Sequence, residues 1–360
     1  ISSSTHPTQA TWYNDNDPEF EWSVPEDLSG IEGYSFILDH ETTTDPDTSV
    51  DTADNFTAFA DQADGTWYFH VRAVDSAGNW GATAHYQVRI DVTSPDAPVI
   101  SSSTHPTQAT WYSHDDPEFT WTTPTDTSGV EGYSFILDQL SNTDPDTTVD
   151  TTGNSTSYTD QPDGTWYFHV RAVDSAGNWG DPDHFQVNID TSTPPAPVIS
   201  SSTHPSETTW YSHNDPSFTW ATPTDLSGIA GYSFLLDQTD STIPDTTVDT
   251  TGNSTSFTDK TDGTWHFHVR ARDNAGNWGA TDHYQIRIDV TPPSAPEISS
   301  STHSSQATWY SHSDPDFTWT TPTDASGIEG YSYVLDQVSS TVPDTTMEPS
   351  GNSISYTDVE

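Results

Sequence analysis

The chain has no cysteine, a single methionine and seven basic residues in 360. Without cysteine there is no disulfide framework and no thiolate to act as nucleophile or metal ligand, although the lack of it does not fix the compartment. Against the seven cations stand 55 acidic residues, for a formal net charge of -48. A field of that sign repels nucleic-acid phosphates and anionic lipid surfaces, so neither is expected as a partner. An acid excess of this size suits high salt or divalent cations, which shorten the range of self-repulsion. Long hydrophobic runs are missing too. No stretch approaches the ~20 apolar residues of a membrane-spanning helix, and no membrane-spanning segment is expected. The motifs G-x-S-x-G, H-E-x-x-H and the P-loop are absent, so the chain reads as a non-enzyme needing no cofactor for catalysis. It begins at Ile1 with no initiating Met or secretory leader, which reads as a mature or excerpted stretch of a longer protein.

What is present is repetition. "DGTWYFHVRAVDSAGNWG" at Asp64 to Gly81 returns unchanged at Asp163 to Gly180, and a third, slightly altered copy spans Asp262 to Gly279. "ISSSTHPTQATWY" starts at Ile1 and again at Ile100, with related openings at Ile199 and Ile298, a 99-residue period. Such self-similarity marks a tandem array. Proline-rich joints follow each copy: "VTSPDAPV" from Val92, "TSTPPAPV" from Thr191 and "VTPPSAP" from Val290. They read as short, stiff linkers.

Within a period the apolar residues alternate, as they do in strands. Trp67, Phe69, Val71 and Ala73 are expected on one face, with Tyr68, His70, Arg72 and Val74 on the other. Downstream, Tyr86, Val88 and Ile90 point inward and His85, Gln87 and Arg89 outward; "DSAGN" is the turn between. Phe20, Trp22, Tyr34, Phe36 and Leu38 complete the core. The third copy has His266, Arg272 and Asn274 where the first has Tyr68, Val74 and Ser76, all positions read as outward or turn. Short alternating strands, frequent turns and a ~100-residue period predict an all-β fold of tandem seven-stranded Greek-key β-sandwiches.

"DGTWYFHVRAVDSAGNWG", followed by "VRIDVTSPDAP" and preceded by "PEDLSGIEGY", resembles the tandem immunoglobulin-like and fibronectin type III-like repeats of prokaryotic cell-surface proteins. The resemblance covers the whole chain and departs at Trp67, where related repeats commonly have Tyr. It implies repeats at 1–93, 97–192 and 196–291, and a partial repeat at 295–360 that keeps strands A to E but not F and G. Either the natural chain continues past Glu360, the preferred expectation, or a neighbour completes the last sandwich by strand addition. The family implies an extracellular structural or adhesive element at a microbial cell surface, a rod, stalk or filament. Its expected partners are copies of itself or other surface proteins. The alternatives are a carbohydrate-binding array using Tyr68 and Trp80 as sugar platforms, or a passive spacer of a secreted hydrolase.

Three sets of site residues follow. In this fold the end of strand G faces the B-C and F-G loops of the next repeat. That places Asp91 near Asp126 and Asp174, and Asp190 near Asp225 and Asp273. Several carboxylates at one point suit a hard cation, so calcium is the candidate ion. The six arginines, Arg72, Arg89, Arg171, Arg270, Arg272 and Arg287, all fall on strands F and G and point outward. In so acidic a chain, that basic face is a candidate surface for self-association. Finally, N-x-[ST] recurs in register at Asn55, Asn154 and Asn253, while "NSI" at Asn352 fails the rule, which makes the three candidate glycosylation sites.

Overall fold

The computed structural model describes residues 1–348 and 351–359. Pro349, Ser350 and Glu360 of the expected partial repeat lie outside the described residues. The chain divides into two units, Ile1–Ser192 and Thr193–Glu360. All regular elements among the described residues are strands.

In the first unit, repeat 1 contains β1 (Trp12–Tyr13), β2 (Glu19–Glu21), β3 (Ile31–Asp39), β4 (Phe56–Ala58), β5 (Gly65–Asp75) and β6 (Ala84–Ile90). Repeat 2 contains β7 (Ile100–Ser102), β8 (Trp111–Tyr112), β9 (Glu118–Trp121), β10 (Val130–Asp138), β11 (Ser155–Ser157), β12 (Gly164–Asp174) and β13 (Asp183–Ile189). Repeat 2 shows the full plan. One sheet runs β11-β9-β7 and the other β10-β12-β13-β8, with β12 pairing antiparallel to both its neighbours. The first strand of the sandwich is split, because β8 leaves the first sheet and pairs parallel with β13. The crossing is pinned by the fully buried His105, whose N–H donates to the Ser102 hydroxyl (3.0 Å) and whose Nε2 lies 2.9 Å from the His114 carbonyl.

The core between the sheets is the alternating aromatic set. Phe119 of β9 stacks on Phe168 of β12 with centroids 4.2 Å apart, and Trp121 lies 5.8 Å from the same ring. Val170, Val187 and Tyr133 complete a buried cluster. Burying each such side chain stabilises the repeat by about 1.5–3 kcal/mol before chain entropy is counted. Trp67 does not lose the corner contact that a Tyr hydroxyl would make in this fold. Its indole N–H donates to the Ala63 carbonyl four residues upstream (2.8 Å), and Trp166 does the same to Pro162 (2.9 Å).

The outer face is less exposed than expected. Val74 and Val173 lie on it, outside the core clusters, yet are buried. Each stands opposite a glycine, Gly33 or Gly132, where a Cβ would lie 2.4 or 2.5 Å from Val50 or Val149 of the loop after β3 or β10. His70 and His169 do lie on the outer face, yet both are fully buried. The loop after β3 folds back over that face: Asp51 accepts from the Ser35 hydroxyl (3.1 Å) and the Phe36 amide (2.8 Å).

In the second unit, repeat 3 comprises β14 (Val198–Ser200), β15 (Trp210–Tyr211), β16 (Ser217–Ala221), β17 (Ile229–Asp237), β18 (Ser254–Ser256), β19 (Gly263–Asp273) and β20 (Asp282–Ile288). Its sheets run β14-β16-β18 and β15-β20-β19-β17, the plan of repeat 2. The remaining strands, β21 (Ile298–Ser299), β22 (Asp316–Trp319) and β23 (Ser353–Ser355), make one three-stranded sheet.

Candidate metal centre at the joint of repeats 1 and 2

Asp91 directly follows β6, and its N–H donates to the Tyr13 carbonyl (2.9 Å), so the parallel pairing of β1 with β6 fixes its backbone. The chain then docks on repeat 2. Pro95 and Pro98 are buried, and the Ile100 amide donates to Asp183 Oδ2 (2.9 Å). A Cβ on Gly180 would lie 2.3 Å from the Pro95 carbonyl oxygen, so that close approach requires glycine. This linker is bound along its length to the repeat that follows.

Asp126 occupies the turn between β9 and β10, where its Oδ1 accepts from the amides of Ser128 and Gly129, both at 3.0 Å. Gly129 takes φ +81, a left-handed conformation suited to glycine. Asp174 ends β12. Its Oδ1 accepts from the amides of Ala176 (2.9 Å) and Asn178 (2.8 Å), and its Oδ2 from Asn178 Nδ2 (2.7 Å). Two contacts tie the repeats together. Ser128 N–H also donates to Asp91 Oδ2 (2.8 Å), and Asn178 Nδ2 also donates to the Asp91 carbonyl (2.8 Å).

One oxygen from each of Asp91, Asp126 and Asp174 lies within 4.8 Å of the others. Asp91 and Asp174 are fully buried, and every donor just named is neutral. Burial first, then the charges of Asp91 and Asp174, push the Asp126 carboxyl above its usual range. Three carboxylates held this way suit a hard divalent cation with oxygen ligands.

The second predicted trio divides between the units. Asp190 is buried at the end of the first, its N–H donating to the Tyr112 carbonyl (2.9 Å). In the second unit Asp225 accepts from the Ser227 amide (3.2 Å), and Asp273 from the amides of Gly276 (2.6 Å) and Asn277 (2.7 Å). Farther along, the Ser326 amide donates to both Asp289 (3.0 Å) and Asp324 (3.1 Å).

The arginines are half-buried and stacked on tryptophan of their own repeat. Arg72 lies over Trp80 and Arg171 over Trp179, both at 4.9 Å, and Arg270 over Trp278 at 4.7 Å. Arg89 and Arg287 lie 5.8 and 6.0 Å from Trp12 and Trp210. Arg272 instead points its Nε at the Gly276 carbonyl (3.5 Å). Trp80, considered above as a sugar platform, is therefore capped by a guanidinium. Asp39 lies 3.3 Å from His70 Nε2 and accepts from the Glu41 amide (2.8 Å). The sequon asparagines each precede the short strand β4, β11 or β18, with Asn154 and Asn253 exposed and Asn55 half-buried. Asn55 and Asn154 donate from Nδ2 to the carbonyls of Trp22 (2.9 Å) and Trp121 (3.2 Å).

Sequence reasoning missed the covering loop. Its signals were the paired aspartates of "TDPDTSVD" and a serine, Ser35, in the middle of an otherwise apolar strand.

A family model described as a bacterial Ig-like domain matches residues 224–290, which holds β17 to β20. The chain is a tandem array of β-sandwich repeats, of which the third is similar to a bacterial Ig-like domain. The fibronectin(III)-like modules of CbhA from Clostridium thermocellum are similar at 15% identity and a TM-score of 0.28, over 53% of this chain and 94% of that one. That likeness is too distant to bear on function. Among curated proteins, none matches the chain.

Proposed function

We propose that this array of immunoglobulin-like repeats is an extracellular structural or adhesive element of a microbial cell surface, whose joints are stiffened by calcium. The observation that carries this reading is the joint of repeats 1 and 2. There a buried carboxylate from the end of one repeat meets two from loops of the next, beside a linker packed onto Gly180. A flexible tether has no use for such a joint. Calcium in the trio would replace carboxylate repulsion by shared coordination and couple neighbouring repeats. Asp190, Asp225 and Asp273 are further proposed calcium ligands. The outward-facing set of Arg72, Arg89, Arg171, Arg270, Arg272 and Arg287 is the proposed contact surface for another copy. Glycans on Asn55, Asn154 and Asn253 would project beside short strands without breaking the ladder, since a modified amide keeps one N–H to donate.

The test is thermal unfolding and solution scattering of the chain in calcium and in chelator. Calcium should raise the melting temperature of the wild type and narrow its distribution of sizes, and should do neither after Asp91→Asn with Asp190→Asn. Identical melting and scattering with and without calcium would remove the ion from the proposal.

A further inference from the structure

On the outer face of each complete repeat, a buried histidine of the central strand stands directly opposite a histidine of the neighbouring strand: His70 with His85, His169 with His184, His268 with His283. In the first pair the Nδ1 atoms are 2.5 Å apart, and in the other two 2.6 Å. The far nitrogen of His70 faces two acceptors, the Glu41 carbonyl at 2.9 Å and Asp39 Oδ1 at 3.3 Å. His169 repeats this with Leu140 at 3.0 Å and Asp138 at 3.4 Å. Facing only acceptors, Nε2 carries the proton, so the buried ring turns its Nδ1 lone pair toward its partner. An imidazole whose other N–H is fixed by a carboxylate or a carbonyl is oriented as metal-binding histidines are. Tyr68 and Tyr167 flank the pairs in the first two repeats, with centroids 6.4 Å from His70 and His169. In the third, His266 takes that place, 6.3 Å from His268, and offers a further imidazole.

We propose that each histidine pair binds a late first-row divalent ion of the zinc class, separately from the carboxylate trio, which suits hard ions. Zinc about 2.0–2.1 Å from both nitrogens requires them to part to roughly 3 Å. The outer ring can make that movement, because His85 and His283 are exposed and His184 is half-buried. On binding, the Nδ1 proton of His85 leaves to solvent and its Nε2 takes one up, so a neutral pair binds without net proton release. Water completes the coordination in repeats 1 and 2, whereas His266 gives repeat 3 a third ligand and the tightest site.

Zinc is titrated calorimetrically into the 360-residue chain in excess calcium, which keeps the carboxylates occupied by the harder ion. The expected result is three equivalents, one tighter than the others, with His266→Tyr removing the difference. His85→Gln, His184→Gln and His283→Gln together should weaken binding at least ~10-fold with the melting temperature of the chain retained. Asp39→Asn, Asp138→Asn and Asp237→Asn should also weaken it, by roughly 10-fold, through loss of ring orientation. Replacing the exposed His114 and His213 by Gln should change nothing. No uptake at millimolar zinc, or unchanged stoichiometry and affinity in the triple histidine variant, would overturn the proposal.

Discussion

Repeats 3 and 4 lie in the same unit and share their opening sequence, yet they are built to different extents. Repeat 3 has both sheets. In the described part of repeat 4 there is one, β21-β22-β23, and the residues corresponding to β17 contribute a single bridge, Tyr331 to Glu348. Trp309, the counterpart of Trp210 in β15, is fully exposed. The reason lies in the order of the second sheet. β19 and β20 stand between β17 and β15, so the outer two strands have no ladder without the inner two. The linkers report the same dependence. Pro194 and Pro197 are buried before repeat 3, where Pro194 packs on Gly279, but Pro292, Pro293 and Pro296 are exposed before repeat 4. The central hairpin therefore organises a sheet, a core and a linker together.

The largest effect should come from removing the ring at the centre of that hairpin. Phe267 is fully buried and stacks on Phe218 at 4.2 Å, so Phe267→Ala should destabilise repeat 3 by about 3–5 kcal/mol, enough to unfold it at moderate temperature. Phe317, the counterpart of Phe218, is only half-buried and finds its ring neighbour Tyr356 at 6.3 Å, so Phe317→Ala should cost a small fraction of that. Hydrogen exchange across both repeats measures the two losses side by side. Equal losses would mean that the hairpin is not the organiser.

The plan of the sandwich was legible because its signals are local: alternating aromatics, turn glycines and a 99-residue repeat. The joint was legible for a related reason, since Asp91, Asp126 and Asp174 end strands or open turns whose positions the fold dictates. What could not be read was the second layer over the outer face. Alternation distinguishes the two faces of a strand but not solvent from a covering loop, and so His70 looked exposed. The division of the opening stretch between β7 and β8 was not legible either, because residue pattern does not say which sheet a short strand joins.

Next in size is the ion at the joint, which sharpens the contrast between a complete trio and the pair formed by Asp289 at the end of repeat 3 and Asp324 of repeat 4. A ligand at 100 times its Kd stabilises the folded state by about 2.7 kcal/mol. Without calcium the sign reverses for Asp126. Its carboxyl is raised above the value 3.8, so the folded repeat holds the proton more tightly, and stability falls as pH rises from 3.8 through the folded pKa. Asp126→Asn should therefore leave the chain as stable as wild type or more so in chelator, and less stable in calcium. Melting curves in both buffers check this; the same ranking in both would leave the trio without an ion-dependent role.

Acid should separate the repeats again, by a smaller amount. Burial first, and then the neighbouring His184 and His283, hold His169 and His268 below the ordinary 6.5. The unfolded chain then binds more protons below that value. Stability should be level above pH 6.5 and decline as pH falls below it. Burial opposes ionisation of Asp138 and Asp237, but the hydroxyls of Thr143 and Thr242 and backbone amides outweigh it and hold both below 3.8, so their contribution is lost only at lower pH. Among the described residues of the fourth repeat there is no such histidine pair, so between about pH 6.5 and 4 this decline should appear in repeats 2 and 3 and not in repeat 4. Hydrogen exchange at two pH values resolves it by repeat, and a uniform decline would exclude the histidines as its source.

The smallest effect decides between two uses of the arginines. A guanidinium over an indole is worth about 0.5–1 kcal/mol when exposed and more when desolvated. If Arg72, Arg171 and Arg270 serve mainly their own tryptophans, replacing all three by Gln should lower the stability of each complete repeat by roughly that amount and leave sedimentation unchanged. If the same face docks onto another copy of so acidic a chain, association should weaken, and the loss should diminish with added salt. Residues 295–360 supply the internal control, because they contain no arginine, and their exchange rates should not respond to the substitutions at all.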